Sequence, residues 1–316
     1  MECMNYHVPV LMEACVEALQ LRDNGIYVDA TLGGGGHSEA ILLANPTIQL
    51  YGFDQDSEAI EFASKRLERF GERVHLIEDN YSRIRTRLAF HKIKHIDGVL
   101  YDLGVSTHQI DIPERGFSFQ QQGMLDMRMN QKAGTPAYEI VNHYGYEQLA
   151  KIFREYGEEP DAGKVARVIL HARDNHPIHT TEELAELLDT NFPQNPKYKI
   201  KMKARIFQAL RIYVNQELDH LQKALKDSVD ILNPGGRIAV ISYHSLEDRI
   251  VKNYFREEEK ACICPDNFPK CICGKKSRIK VISRKPITPE PNEILTNNRA
   301  RSAKLRVAER KGDSCK

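Results

Sequence analysis

The sequence predicts an α/β fold: a mostly parallel sheet wound with helices and interrupted by a helical insertion. Three observations predict it. Short apolar strands alternate with helical patterns through the first hundred residues, as βαβ units require. The same alternation returns late in the chain, and between the two blocks, from about Gln109 to Lys203, the pattern is helical or loop. The expected organisation is therefore an α/β domain in two parts, 1–108 and 213–316, around an inserted helical domain at 109–212. The alternative, a separate C-terminal domain, leaves the strand after "NPGG" without partners.

Taken in order, the first four strands are expected at Ile26–Ala30, Leu50–Phe53, Val74–Ile77 and Asp97–Tyr101. After the second strand, Asp56 and Ser57 are candidate N-caps for a helix that places Ile60, Ala63 and Leu67 on one face. Inside the insertion, helices are expected at Tyr146–Tyr156, Ala162–Arg173 and Thr181–Asp189. Leu218, Leu221, Leu225, Val229 and Leu232 then step by three and four along one stripe until "NPGG" stops the helix. "RIAVIS" reads as a fifth buried strand, and "RIKVIS" and "SAKLRVAE" as two last ones.

Composition bounds the function. With 316 residues and 41% hydrophobic content, the chain can bury a sizeable core and fits two domains better than one. No stretch approaches the roughly 18 apolar residues of a membrane span, so a cytosolic protein without a membrane partner is expected. A formal net charge of +1 conceals an asymmetry: residues 275–316 carry 13 Lys+Arg against 4 Asp+Glu, leaving the rest of the chain at −8. A basic segment on an acidic body points to a polyanionic partner such as nucleic acid, with a solvated face as the competing explanation. Oligomeric state is not legible, since no heptad pattern is present.

Seven cysteines, an odd number, argue for reduced thiols or a metal site over a disulfide framework. Cys262, Cys264, Cys271 and Cys273 form a C-x-C-x6-C-x-C pattern. Four thiolates suit tetrahedral zinc, yet C-x-C is tighter than the usual spacing, so a reduced, metal-free loop is the default expectation.

The chemistry concentrates at strand ends. In "VDATLGGGGHS" four glycines separate a buried strand from a helix start, where a doubly wound fold lets a ligand approach the backbone. The dinucleotide fingerprint lacks its third glycine, which is Ser38, and there is no G-x-x-x-x-G-K-[ST]. "YGFDQD" ends the second strand at Asp54, some twenty residues on, where a carboxylate accepts hydrogen bonds from ribose hydroxyls. That pair of features fits NAD and S-adenosylmethionine alike. The fourth strand, "IDGVLYDLGVS", ends in Asp102 beside the ligand's reactive end. Asp102 either caps the loop or accepts the N–H hydrogens of an exocyclic amine during methyl transfer; its position matches the Asn/Asp/Ser-Pro-Pro-aromatic motif of amino-group methyltransferases.

With these stretches, "ERGFSF", "LDMRMN", "YGEE", "FQALRIYVNQEL", "SYHSLEDRIVKNYF" and "RKPITP" occur in order, from "NYHVPVLMEA" near the start to "NNRARSAKLRVAER" near the end. The chain resembles the bacterial 16S ribosomal RNA cytosine-N4 methyltransferase H family, also called MraW. The resemblance implies a Rossmann-like S-adenosylmethionine-dependent methyltransferase with an inserted helical domain. It also implies N4-methylation of a cytidine in the decoding region of 16S rRNA, within the small ribosomal subunit. By the same resemblance Gly35, Gly36 and His37 belong to the donor-binding turn, Asp54 to the ribose contact and Tyr81 to the adenine side. Asp102 and Gln109 lie by the methionine portion; from its place at the strand end Asp102 is also the expected catalytic acceptor. A DNA or small-amine methyltransferase on the same fold is the alternative.

Candidate RNA contacts come from four stretches. Tyr243 and His244 follow the fifth strand and either meet the target base or seal the strand end. Arg115, Phe117 and Phe119 suit phosphate contact and base stacking, or packing. Asp126 and Arg128 either order their loop or touch RNA. Arg299, Arg301, Lys304 and Arg306 offer charge to phosphates, or line a solvated strand edge. The chain departs from its relatives at Ser106-Thr107-His108-Gln109-Ile110, where Ser-Ser-Pro-Gln-Leu is frequent, and at Lys201-Met202-Lys203-Ala204-Arg205, where they carry a His-Pro-Ala-Lys/Thr-Arg run.

Overall fold

A computed structural model describes residues 9–192, 195–265 and 271–312. Asn5 to Val8, which begin the first signature stretch, and 313–316, which end the basic segment, lie outside the described residues. The chain divides into two compact units, Met1–Gly104 with Leu218–Lys316, and Val105–Glu217.

The first unit carries a seven-stranded sheet built from β1 (Ile26–Asp29), β2 (Gln49–Asp54), β3 (Val74–Glu78), β4 (Ile96–Asp102), β5 (Leu232–Ser242), β6 (Ile279–Val281) and β7 (Lys304–Arg310). Their spatial order is β3-β2-β1-β4-β5-β7-β6, parallel except that β7 runs antiparallel to both neighbours. Strand order reverses between β1 and β4, which is the switch point where doubly wound sheets bind ligands. This is a Rossmann-like sheet. Alternating side chains feed two cores: Val28, Phe53, Val99, Tyr101 and Val240 belong to one, and Tyr27, Leu50, Leu100, Ala239 and Ile241 to the other. Both faces are therefore covered, as parallel strands need.

The helices of this unit are α1 (Met12–Leu19), α2 (Gly36–Ala44), α3 (Ser57–Leu67) and α4 (Ile84–Phe90). Asp56 caps α3 as expected, accepting the Glu58 N–H at 3.1 Å, and Ala63 and Leu67 are buried. Val105–Glu217 contains α5 (Thr107–Asp111), α6 (Ala137–His143), α7 (Tyr146–Glu155), α8 (Ala162–Arg173), α9 (Thr181–Asn191) and α10 (Pro196–Asn215). It has its own core around Ile140, Phe153, Val165, Leu188, Ile206 and Leu210. The unit boundaries fall slightly outside the expected 109 and 212. Ser106 is the N-cap of α5, and Glu217 holds Arg211 at 2.8 Å, so both belong with the helices they complete.

The chain returns to the sheet through α11 (Glu217–Ile231), followed by α12 (Ser245–Glu259) and α13 (Pro291–Thr296). "NPGG" does stop α11, but β5 already begins at Leu232, earlier than the "RIAVIS" reading. Leu232 pairs with Ile96, and the register shifts before Arg237 pairs with Gly98. Between them Gly235 takes φ +74 against Arg22, and Asn233 donates to Asp97 at 2.9 Å. No helix among the described residues is long and apolar enough to cross a membrane.

Candidate active site at the carboxyl edge of the sheet

The parallel register brings three aspartates to one edge. Asp29 stands opposite Gly52 and Leu100, Asp54 opposite Glu78, and Asp102 opposite Ile241. All three are last residues of their strands, because the sequence ends each apolar run with an acid.

At the end of β2, Asp54 accepts the Gly33 N–H on Oδ2 at 2.8 Å and the Asp56 N–H on Oδ1 at 2.9 Å. Burial pushes this carboxyl up to about 6, against the lowering effect of the two amides. A carboxylate offers about four acceptor sites, so one on each oxygen is left for a further donor. Two hydroxyls of a ribose diol match that pair.

The glycine turn has an internal explanation that sequence reasoning did not anticipate. A Cβ on Gly36 would lie 2.5 Å from Pro9 Cγ. Gly35, the α2 N-cap, has φ +74, and its Cβ would sit 3.3 Å from Ala63 Cβ. These two glycines admit neighbouring parts of the same chain. Gly33, at φ +48, meets nothing nearer than the Thr31 carbonyl at 4.0 Å, so of the three it is the one with open space beside it.

Asp102 is held from three directions. Its N–H donates to Thr31 Oγ1 at 2.6 Å, the Tyr243 hydroxyl donates to Oδ1 at 2.7 Å, and His37 Nε2 stands 3.4 Å from Oδ2. At that distance the His37 contact falls outside good hydrogen-bond geometry and becomes an ion pair when the imidazole is protonated. Burial works against a charged imidazole there, but the facing Asp102, with Asp29 behind it, outweighs burial and raises the His37 pKa. For Tyr243, burial and the Asp102 charge raise the phenol well above its ordinary value, so it remains a donor. Asp29 is itself buried; it accepts Ser38 Oγ–H at 2.7 Å and the Thr31 N–H at 3.2 Å, and burial raises its pKa. Sequence reasoning missed Asp29, Thr31 and Ser38. The acid ending the first strand was the available signal.

The remaining candidates separate. Tyr81 opens a 3-10 turn after β3 and packs edge-on against Tyr101, ring centres 5.6 Å apart. His244 is the N-cap of α12; its Nε2 is 3.1 Å from Glu247 Oε1, while the Tyr243 N–H donates to Glu247 Oε2 at 2.9 Å. That geometry favours sealing the strand end. Arg301 is exposed in the turn before β7, but Arg306 is buried, donating to Asp248 at 2.6 Å and 3.2 Å, so it is not a solvent-facing phosphate contact.

Within Val105–Glu217, Gln109 is buried and its side-chain oxygen accepts the Ser106 N–H at 3.2 Å in a capping box. Arg115 is 2% exposed and donates to the carbonyls of Arg128 and Met129 at 3.2 and 3.0 Å. Buried among its own loop's carbonyls, the guanidinium ties that loop together, which is the packing alternative. Phe117 packs partly buried against the helical core, 6.0 Å from the Arg115 guanidinium, and Phe119 lies edge-on to Phe207. Arg128 grips Asp126 at 2.7 and 2.8 Å, the loop-ordering alternative.

Comparison with known proteins adds a family. A family model described as the MraW methylase family matches residues 4–311. The ribosomal RNA small subunit methyltransferase H of Carboxydothermus hydrogenoformans is 49% identical over 304 residues, covering 96% of this chain and 97% of that one. The protein of the same name from Syntrophus aciditrophicus is 50% identical over 308 residues, covering 97% and 98%. Among solved structures, a putative methyltransferase from Streptococcus mutans in complex with SAH is 14% identical with a TM-score of 0.44, covering 96% of this chain and 99% of that one, a likeness too distant to bear on function.

Proposed function

This chain belongs to the MraW methylase family, and from that premise we propose that it transfers a methyl group from S-adenosylmethionine to small-subunit ribosomal RNA, at N4 of a cytidine in the decoding region of 16S rRNA. The names carried by relatives with near-complete mutual coverage support the substrate class. The observation that carries the mechanism is the oriented Asp102 carboxylate at the end of β4, beside the switch point.

The donor fits the residues present. Asp54 keeps one acceptor site per oxygen for a ribose diol, Gly33 leaves open space beside it, and Tyr81 offers a half-buried ring at the end of β3. S-adenosylmethionine supplies, when bound, an electrophilic methyl on a sulfonium. The protein's task lies with the nucleophile, because the lone pair of a cytosine amine is delocalised into the ring. Asp102 accepts an N–H of that amine, which favours a pyramidal nitrogen and offsets the positive charge that grows on it. Tyr243 fixes one carboxylate oxygen and Thr31 the backbone beneath it, so orientation is set before substrate arrives. As N4 gains the methyl, it loses a proton to Asp102 and then to solvent. A base reaching this edge must leave its stack, so the substrate offers an exposed or extrudable cytidine.

The test is methyl incorporation from labelled S-adenosylmethionine into small subunits lacking the mark, with nucleoside analysis of the product. Label is expected in N4-methylcytidine. Asp102→Ala is expected to lose roughly 100-fold or more of the rate while still binding S-adenosylhomocysteine by calorimetry. Unlabelled cytidine with the intact enzyme, or label only in DNA or small amines supplied alongside, would overturn the reading.

A further inference from the structure

We propose that Cys262, Cys264, Cys271 and Cys273 bind one zinc ion in a four-thiolate structural site. The four sulfurs all lie within 4.8 Å of one another. Three of the pairs are resolved more closely: Cys262 to Cys271 at 3.4 Å, Cys271 to Cys273 at 3.6 Å and Cys262 to Cys273 at 3.8 Å. A tetrahedron of sulfurs around zinc, with Zn–S near 2.3 Å, has edges of about 3.8 Å. A disulfide needs about 2.05 Å, and the five cysteines of the described residues are free.

The tight C-x-C spacing, which argued against zinc from sequence, becomes intelligible in three dimensions. In an extended segment, residues two apart point the same way and the residue between them points away. Ile263 and Ile272, the middle residues of the two pairs, are 56% and 74% exposed, while the four thiols converge on one another. Amides are aimed at the sulfurs as well: the Cys264 N–H donates to Cys262 Sγ at 3.3 Å and the Ile263 N–H to Cys273 Sγ at 3.5 Å. Such N–H···S bonds compensate the charge of metal-bound thiolates. Gly274, at φ +61 with nothing within 4 Å of a built Cβ, turns the chain directly after the last ligand.

An apolar core does not explain the convergence, because the cysteines are exposed or half-exposed and have no hydrophobic cluster around them among the described residues. Thiolates select zinc over magnesium or calcium. The site would close the loop between α12 and β6, whose base is pinned by Glu257 to Lys260 and Lys275 at 3.0 and 3.2 Å.

The full chain, purified under reducing conditions without added metal or chelator, is expected to carry about one zinc per molecule by mass spectrometry of the metal. Cys262→Ser and Cys271→Ser are each expected to lose it. Should those variants fail to fold, cobalt added to the chelator-stripped native chain reads the same site and is expected to give the intense visible bands of tetrahedral thiolate cobalt. A native chain that holds no zinc and gives no such spectrum would overturn the proposal, as would one that holds iron or a Cys262–Cys271 disulfide instead. Methyl transfer plays no part in these readouts, so the result is independent of the catalytic reading.

Discussion

Asp54 titrates in the working range of the protein, and the direction of its effect differs for folding and for binding. Its carboxyl ionises near 6 in the fold against 3.8 for the free group. A raised carboxyl pKa contributes stability that is fully present below 3.8 and lost as pH rises through about 6. Donor binding runs the other way, because ribose hydroxyls donate to the ionised form. Affinity for S-adenosylhomocysteine is therefore expected to fall roughly tenfold between pH 7.5 and pH 5, measured by calorimetry. Asp54→Asn is expected to bind weakly with a flatter profile, which separates Asp54 from His37, whose pKa is also raised, by the facing carboxylates. A flat profile in the native chain would remove the diol from Asp54. Sequence located Asp54 and Asp102 at strand ends because an apolar run ending in Asp is a local pattern, and the same pattern at Asp29 was passed over. That Asp102 faces the Tyr243 hydroxyl was not legible, since the pairing joins residues 141 apart through the β4–β5 register.

The strand-to-helix turn between β1 and α2 was legible as a glycine run, but its cause was not. The close approaches at Gly35 and Gly36 are made by Pro9, Ala63 and Leu67 of the same chain. Adding a methyl at Gly36 drives it into the ring of Pro9, and overpacking of this kind costs about 1–3 kcal/mol. Gly36→Ala is thus expected to lower the urea midpoint of the ligand-free protein, whereas a glycine kept only for donor contact leaves that midpoint unchanged. The same contrast between local and distant causes explains which helices were readable. α8 matched its expected span because its apolar stripe is clean. The 20-residue α10 was not singled out, since "KYKIKMKAR" alternates charge with apolar residues and suggests no single face. Its start was marked all the same: Asn195 accepts the Tyr198 N–H at 3.0 Å and Pro196 sits at the first turn. Met202, Ile206 and Leu210 then fall on one buried line that only the completed helical core makes visible.

Across the molecule, the charge asymmetry read from sequence is partly consumed by folding. Arg278 pairs with Glu258 and Asp230, and Arg306 with Asp248, so fewer of the late cations remain for phosphate than a count of residues suggests. The division of the chain has a sharper consequence. Every buried residue of the helical core lies between Leu125 and Leu210, and the ion pairs Arg205–Glu159 and Arg211–Glu217 close within the same unit. A segment with its own core and these internal ion pairs is expected to fold as an independent domain. Val105–Glu217 produced alone is therefore expected to show a helical spectrum and one cooperative urea transition. Arg115→Ala in that fragment leaves the carbonyls of Arg128 and Met129 without their donor and is expected to cost about 1–3 kcal/mol, read as a lowered midpoint at unchanged slope. A gradual, non-cooperative melt of the parent fragment would mean that this core needs the sheet to form. An Arg115→Ala midpoint equal to the parent's would return the guanidinium to the pool of groups available for RNA.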